Sequence, residues 1–441
     1  MNTSTTNRVA NITMLVAFLV LVVLYSLPIP YIESSDELLT VALGVTATLA
    51  LLRPNNKIYL FRWERRIFLF YVAVAILGLV SSSVYRYQPV TYVIFDLFVF
   101  SKPILIYFFT RVTFNKYNPT KLGQSIPNTT IIAVTIVCLF VAADKLMGIY
   151  PALDQRFGIE STYIFFGHPS RFSSFFAFAF CLLLPYYYDK KRTILFLILI
   201  IGTLGLRTKY FAFFLIATLF LCAYKSLLSK KINSSMKAGL VLTASVSIFF
   251  LFFDQFSYYY SSASLQDNFA RSIMAFYSFK VANDAFPLGS GFATFGSWFS
   301  GVNYSPVYGV YGIDNIYGMT PGNYNYIADT YWPMILAQFG FIGLFFVLVI
   351  FISLIKNIYF LTNKFRNSRS SLNKHTRLHL FAALLLLGCL LIDSSGDSIL
   401  TQSRGVWALL FIALAVTRAY NELALQKQQN LTHYQTNRDN I

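Results

Sequence analysis

Thr193-Ile-Leu-Phe-Leu-Ile-Leu-Ile-Ile-Gly202-Thr-Leu-Gly205-Leu-Arg207-Thr-Lys209-Tyr-Phe-Ala-Phe-Phe-Leu-Ile-Ala-Thr-Leu-Phe-Leu-Cys-Ala-Tyr224 decides the fold. As one helix it would run about 48 Å, far beyond a hydrocarbon core of roughly 30 Å. Both flanks are basic, with Lys190, Lys191 and Arg192 before it and Lys225, Lys230 and Lys231 after it. Flanks of one sign belong on one side of a membrane, and the middle is broken by Gly202, Gly205, Arg207 and Lys209. The stretch is therefore a helical hairpin with Arg207–Lys209 at its outer tip.

The same logic extends along the chain. Hydrophobic residues make up 56% of the sequence and charged residues only 12%, about half the charged share of soluble domains. Apolar runs of about 17–25 residues are long enough to cross a bilayer as helices. They fall near 12–28, 37–52, 67–84, 90–109, 129–148, 171–188, 193–206, 209–225, 237–253, 329–355, 377–392 and 398–417. Ile12–Leu27 has no clear small-residue cleavage site and is expected to be a retained first helix. With the N-terminus inside, 25 of the 35 Lys+Arg face the cytoplasm and nine the exterior, with Lys102 inside a span. That asymmetry predicts an all-α integral membrane protein of about twelve helices with both termini inside. It accounts for the net charge of +17 without nucleic acid. Residues 1–441 form one polytopic domain. Between the ninth and tenth helices, 256–328 is an extracytoplasmic loop rich in Tyr, Ser, Gly and Asn. Cys138, Cys181, Cys222 and Cys389 all sit in apolar runs, so neither a disulfide nor a thiolate metal site is expected.

Outer cations oppose the insertion rule and need a reason. Arg171, Arg207 and Arg404 stand at or just within helix ends, where charge is costly unless paired or wet. Snorkelling to headgroups or pairing with Asp is one explanation. The other is a cationic floor for an anionic group such as a lipid diphosphate, which guanidinium forks bind bidentately.

Three stretches resemble the bacterial polysaccharide polymerases and O-antigen ligases. Asn268-Phe-Ala-Arg271 followed by Phe286-Pro-Leu-Gly-Ser-Gly-Phe292-Ala-Thr-Phe295 is similar to that family's loop pattern. Asp329-Thr-Tyr-Trp-Pro-Met-Ile-Leu-Ala-Gln-Phe-Gly340-Phe-Ile-Gly343 looks like the helix after the loop, and Leu206-Arg-Thr-Lys209-Tyr like the family's hairpin tip. The segment before the sixth helix, with Arg156, Phe166-Gly-His-Pro-Ser170 and Arg171, also resembles such polymerases. Asp329 stands where the ligases carry His, which places the likeness nearer the repeat-unit polymerases. Lys209 stands where the family has Arg, so the diphosphate contact falls to either Arg207 or Lys209.

The resemblance implies a metal- and nucleotide-independent glycosyltransferase at the outer face of a bacterial cytoplasmic membrane. It would move a glycan from polyprenyl diphosphate to a lipid-linked repeat unit, with a flippase and a chain-length regulator as partners. Arg271, with Arg207 or Lys209, would stabilise the leaving diphosphate. Asp329 would take the acceptor's proton, with Glu160 and His168 as alternates; Asp329 also reads as a helix N-cap. Arg156, His168, Arg171, Lys280, Gly289, Gly291 and Arg404 are expected to contact substrate, although both glycines equally fit a plain turn. The tyrosines of the loop and Trp298 suit either sugar stacking or an interfacial belt. No nucleotide loop, dinucleotide fingerprint or zinc spacing is present in the sequence, so no cofactor is expected. Two other readings remain: ligase-type transfer to a different acceptor, and a transporter or flippase. The 73-residue loop in one half only, and the lack of matching halves, disfavour the transporter.

Overall fold

The computed structural model describes residues 35–52, 61–115, 125–151, 153–156, 158–228, 270–365 and 371–439. Two expected spans, 12–28 and 237–253, lie outside the described residues. The other ten each coincide with a helix. In chain order these are α1 (Ser35–Leu51), α2 (Arg62–Tyr85), α3 (Val90–Thr113), α4 (Ser125–Met147) and α5 (Pro169–Tyr187). A hairpin follows, α6 (Arg192–Gly202) and α7 (Thr208–Leu228), then three helices of the outer loop, α8 (Ala270–Asp284), α9 (Trp298–Val302) and α10 (Pro306–Val310). Last come α11 (Tyr331–Lys364), α12 (Ser371–Asp393) and α13 (Ser403–Asp439). A short antiparallel ribbon pairs β1 (Gln155–Arg156) with β2 (Ile159–Glu160). Among the described residues, six helices are long and apolar enough to cross a membrane: α2, α3, α4, α11, α12 and α13.

Burial follows the helical period. On α2, Ile67, Val74, Gly78 and Ser81 form one buried stripe, while Phe68, Leu69, Ile76 and Leu79 stay exposed on the other faces. Exposed apolar faces of this size fit hydrocarbon rather than water. Helix α5 sits at the centre, where Phe172, Phe176 and Phe180 are fully buried. It packs against α4, α6, α7 and α12; elsewhere α2 packs on α11, and α3 on α1 and α13.

The two ends of the bundle differ. At one end Glu64 of α2 holds Arg111 of α3 at 2.6 Å, Lys374 meets Asp189 at 2.6 Å, and Arg418 meets Glu422 at 3.1 Å. This basic end is the one the charge pattern predicts to be cytoplasmic. The opposite end carries the outer loop and a cavity.

One element departs from its expected form. Helix α11 is broken at Gly340, whose φ of 65° and ψ of −171° are not helical. The break leaves carbonyls of the preceding turn without helical partners, and the outer loop supplies them. Ser290 N donates to Ala337 O and Gly291 N to Gln338 O, each at 2.9 Å. Gly289 (φ 80°) and Gly291 (φ 95°) must be glycine here, because a Cβ on Gly289 would lie 2.6 Å from Gln338 O and one on Gly291 2.6 Å from Ser82 Oγ.

Candidate functional site

At the loop-bearing end the described residues enclose a cavity of about 1230 Å³. Four helices begin at its wall: α5 through His168–Arg171, α7 through Arg207–Lys209, α11 through Asp329 and Trp332, and α13 through Gln402–Arg404. Helix N-termini present unpaired N–H groups and the positive pole of the helix dipole. The lining cations Arg171, Arg207, Lys209, Arg271 and Arg404 add to that field. The same wall carries the carboxylates Asp36, Glu37, Asp96, Asp329, Asp393 and Asp397, so the cavity is lined by charges of both signs.

Seven sequence candidates meet in this cavity: His168, Arg171, Arg207, Lys209, Arg271, Asp329 and Arg404. Arg207 Nη2 is 3.1 Å from Asp154 Oδ2, and Arg404 Nη2 is 2.9 Å from Asp397 Oδ2. Lys209 Nζ donates to Asp393 O at 3.0 Å, at the carbonyl end of α12. Gly396, in the turn after α12, lies beside both Lys209 and Arg271. A Cβ there would sit 3.0 Å from Lys209 Nζ and 3.7 Å from Arg271 Cζ. These two cations thus flank one α-carbon, which favours Lys209 over Arg207 as the partner of Arg271.

Asp329 is the carboxylate beside that pair. Its Oδ2 lies 3.9 Å from Arg271 Nη2, too far for a direct hydrogen bond and close enough for strong attraction. Burial nevertheless raises its pKa to about 6; Arg271 pulls it down and Asp397 pushes it up. The chain on either side of Asp329 is tied down: Ser398 Oγ donates to Ala328 O, and Trp332 Nε1 donates to Ser394 Oγ at 3.0 Å. Thr330, not Asp329, is the N-cap of α11, and it makes no side-chain capping bond. The capping explanation for Asp329 is thereby removed.

His168 behaves differently. Its Nδ1 accepts from Ser170 N at 3.2 Å, which places the neutral ring's proton on Nε2. Burial lowers its pKa to about 4, with Arg207, Arg171 and Arg404 adding to the effect. At neutral pH the ring is therefore uncharged, with its Nδ1 lone pair engaged by the Ser170 amide.

Five candidates are placed elsewhere. Arg156 lies in the β1–β2 ribbon and Lys280 on α8, its Nζ 5.7 Å from the centroid of the Tyr277 ring. Gly289 and Gly291 support the α11 break and line no part of the cavity. Glu160 is exposed on β2. Conversely, the cavity wall includes Lys102, noted in the sequence only as a charge inside a span, and Asp96, which motif reading did not reach. Lys102 Nζ meets Asp36 Oδ2 at 2.5 Å and Glu37 Oε1 at 3.4 Å, and Ser403 Oγ donates to Asp36 at 2.8 Å. Asp96 accepts from Ala293 N at 2.6 Å and from Gln338 Nε2 at 3.1 Å. An ionisable residue inside a span was the available signal for Lys102 and Asp96 alike.

Comparison with protein-family models and with curated proteins finds no match to this chain.

Proposed function

We propose that this protein is a membrane glycosyltransferase that lengthens a surface polysaccharide from lipid-diphosphate-linked repeat units. The observation that carries the reading is the meeting of Lys209, Arg271 and Asp329 in one cavity fed by four helix N-termini. In the reaction the acceptor hydroxyl attacks the anomeric carbon of the donor sugar. The bond from that carbon to the diphosphate oxygen breaks, and the diphosphate leaves with both bonding electrons. Lys209 and Arg271 stabilise the charge that develops on it. Asp329 takes the hydroxyl proton, a role for which a carboxylate titrating near 6 is suited at neutral pH. In this reading the cavity faces the exterior, which the cluster of basic residues at the opposite end supports. Resemblance in the loop and after it supports a polymerase over other membrane transferases.

The test uses purified protein in lipid nanodiscs with lipid-linked repeat units. Wild-type protein is expected to produce chains of several repeats without ATP, Lys209→Ala and Arg271→Ala to leave single units, and Arg271→Lys to rescue poorly. Normal chain length in Arg271→Ala would reject the assignment. Movement of the lipid-linked unit across the bilayer without lengthening would indicate a transporter.

A further inference from the structure

The same cavity has a second wall, along α3, where the cation Lys102 is held by Asp36 and Glu37. On this side Asp96, Ser297, Trp298 and Phe299 line it, and the nearest helix is α3 rather than the helices that bring in the arginines. Trp298 is a large apolar side chain left 56% exposed at this wall. A lone exposed Trp needs no explanation, but this one is fixed in place. Gly296 N donates to Tyr308 Oη at 2.8 Å, and Ser297 and Ser300 exchange capping hydrogen bonds across the start of α9. Tyr324 packs against the indole at a centroid distance of 5.8 Å and 66° between planes. Phe299, the next residue, stacks on Phe95 of α3 at 5.5 Å. Ser297 in turn contacts Asp96, whose carboxylate holds the Ala293 amide. An indole held rigidly by its edge and neighbours keeps a face for a ligand at little entropic cost.

We infer that Trp298, with Ser297 and Asp96, forms an acceptor subsite for an uncharged pyranose. This rests on the glycosyltransferase reading above and extends it to the second substrate. The apolar face of a pyranose packs on an indole, while its ring-edge hydroxyls need acceptors such as a Ser hydroxyl or a carboxylate. A uronate or phosphate-bearing sugar is disfavoured, because Asp96 would repel its charge. Volume agrees: about 1230 Å³ exceeds the roughly 300–1,000 Å³ of ordinary single-ligand sites. One anionic donor and one neutral acceptor can occupy opposite walls.

The experiment uses full-length protein in lipid nanodiscs, since sugar-headed detergents would compete. Saturation-transfer NMR is recorded with methyl glucoside, methyl N-acetylglucosaminide and methyl glucuronide, and farnesyl diphosphate affinity is measured alongside. At least one neutral glycoside is expected to give signal in wild type, with the glucuronide much weaker. Trp298→Ala and Trp298→Leu should weaken it about tenfold or more, and Trp298→Phe should retain it. Farnesyl diphosphate affinity should be unchanged in all three variants, which reports that the site is folded. No neutral-sugar signal in wild type, an unchanged signal in Trp298→Leu, or an equal glucuronide signal would overturn the subsite. Failure of the function reading looks different. Farnesyl diphosphate would then not bind, or Arg271→Ala would not weaken it; the acceptor role would fall while Trp298-dependent sugar binding remained.

Discussion

At the scale of single residues, Asp329 carries the sharpest consequences. A base must be deprotonated to act, so turnover is expected to rise with pH through about 6 and level off above it. His168, neutral down to about 4, adds no second limb in that range. Asp329→Asn should remove the pH-dependent turnover, because an amide keeps the shape but takes no proton. A normal rate in that variant, or a flat profile in wild type, would remove Asp329 as base. Stability moves the opposite way. A carboxyl whose pKa is higher folded than unfolded favours the folded state at low pH, and this contribution fades as pH climbs from the ordinary 3.8 through about 6. Asp329→Asn should therefore raise Tm modestly at pH 7 and not at pH 4, a difference readable by thermal melting. Gly396 offers a second residue-scale check. A methyl there would press on Lys209 and touch Arg271, so Gly396→Ala should raise the KM for the lipid-linked donor while leaving Tm near wild type.

At the scale of elements, α11 shows what sequence can and cannot convey. Its existence and its neighbours in the chain are evident from a long apolar run, and so are those of nine other helices. The hairpin α6–α7 follows from its flanking charges alone, because a bilayer penalises any other arrangement. The break at Gly340 is not evident, since a helical Gly and a left-handed Gly read alike without their partners. Those partners are Ser290 and Gly291, some fifty residues earlier. For the same reason Gly289 and Gly291 read as candidate ligand contacts and prove to be packing positions. Arg271, Lys209 and Asp329 were legible through the rule that outer charge is expensive and through the loop motifs. Asp96 was visible only as a charge inside a span, and its pairing with Gln338 was not, because that contact joins two helices and the loop. Substitution separates the two kinds of glycine. Gly340→Ala places a Cβ 2.8 Å from Pro287 O at φ 65°, and should cost about 2 kcal/mol or more in thermal or denaturant unfolding. Gly388→Ala, in the interior of α12 with open space around it, should be neutral or gain up to about 1 kcal/mol. Equal effects in the two variants would mean that the break in α11 is not built into the folded helix.

At the scale of the whole molecule, the cavity is a consequence of where charge is allowed to sit. Gln88, at the foot of α3, donates to Asn303 O of the outer loop at 2.7 Å. Lys102 lies fourteen residues further along, about 21 Å deeper by helical rise, so its pairing with Asp36 falls well inside a hydrocarbon layer of roughly 30 Å. Such a pair is tolerable because both side chains line the cavity and Ser403 supports Asp36. Lys102→Met should leave Asp36 uncompensated and cost about 3–5 kcal/mol, whereas adding Asp36→Asn should recover part of the loss. Full stability in the single variant would show that the pair does not bear on folding. The same charge logic predicts the orientation. Moving the basic end through a bilayer would carry Arg111, Lys190, Lys191, Arg192, Lys374 and Arg418 with it, whereas the sequence places only nine Lys+Arg on the other side. A reporter enzyme active only outside the cytoplasm, fused near Lys280, should therefore be active, and the same reporter near Lys374 silent. Activity at both positions, or at Lys374 alone, would place the cavity on the cytoplasmic side, out of reach of an exported glycan, and the polymerase reading would fall with it.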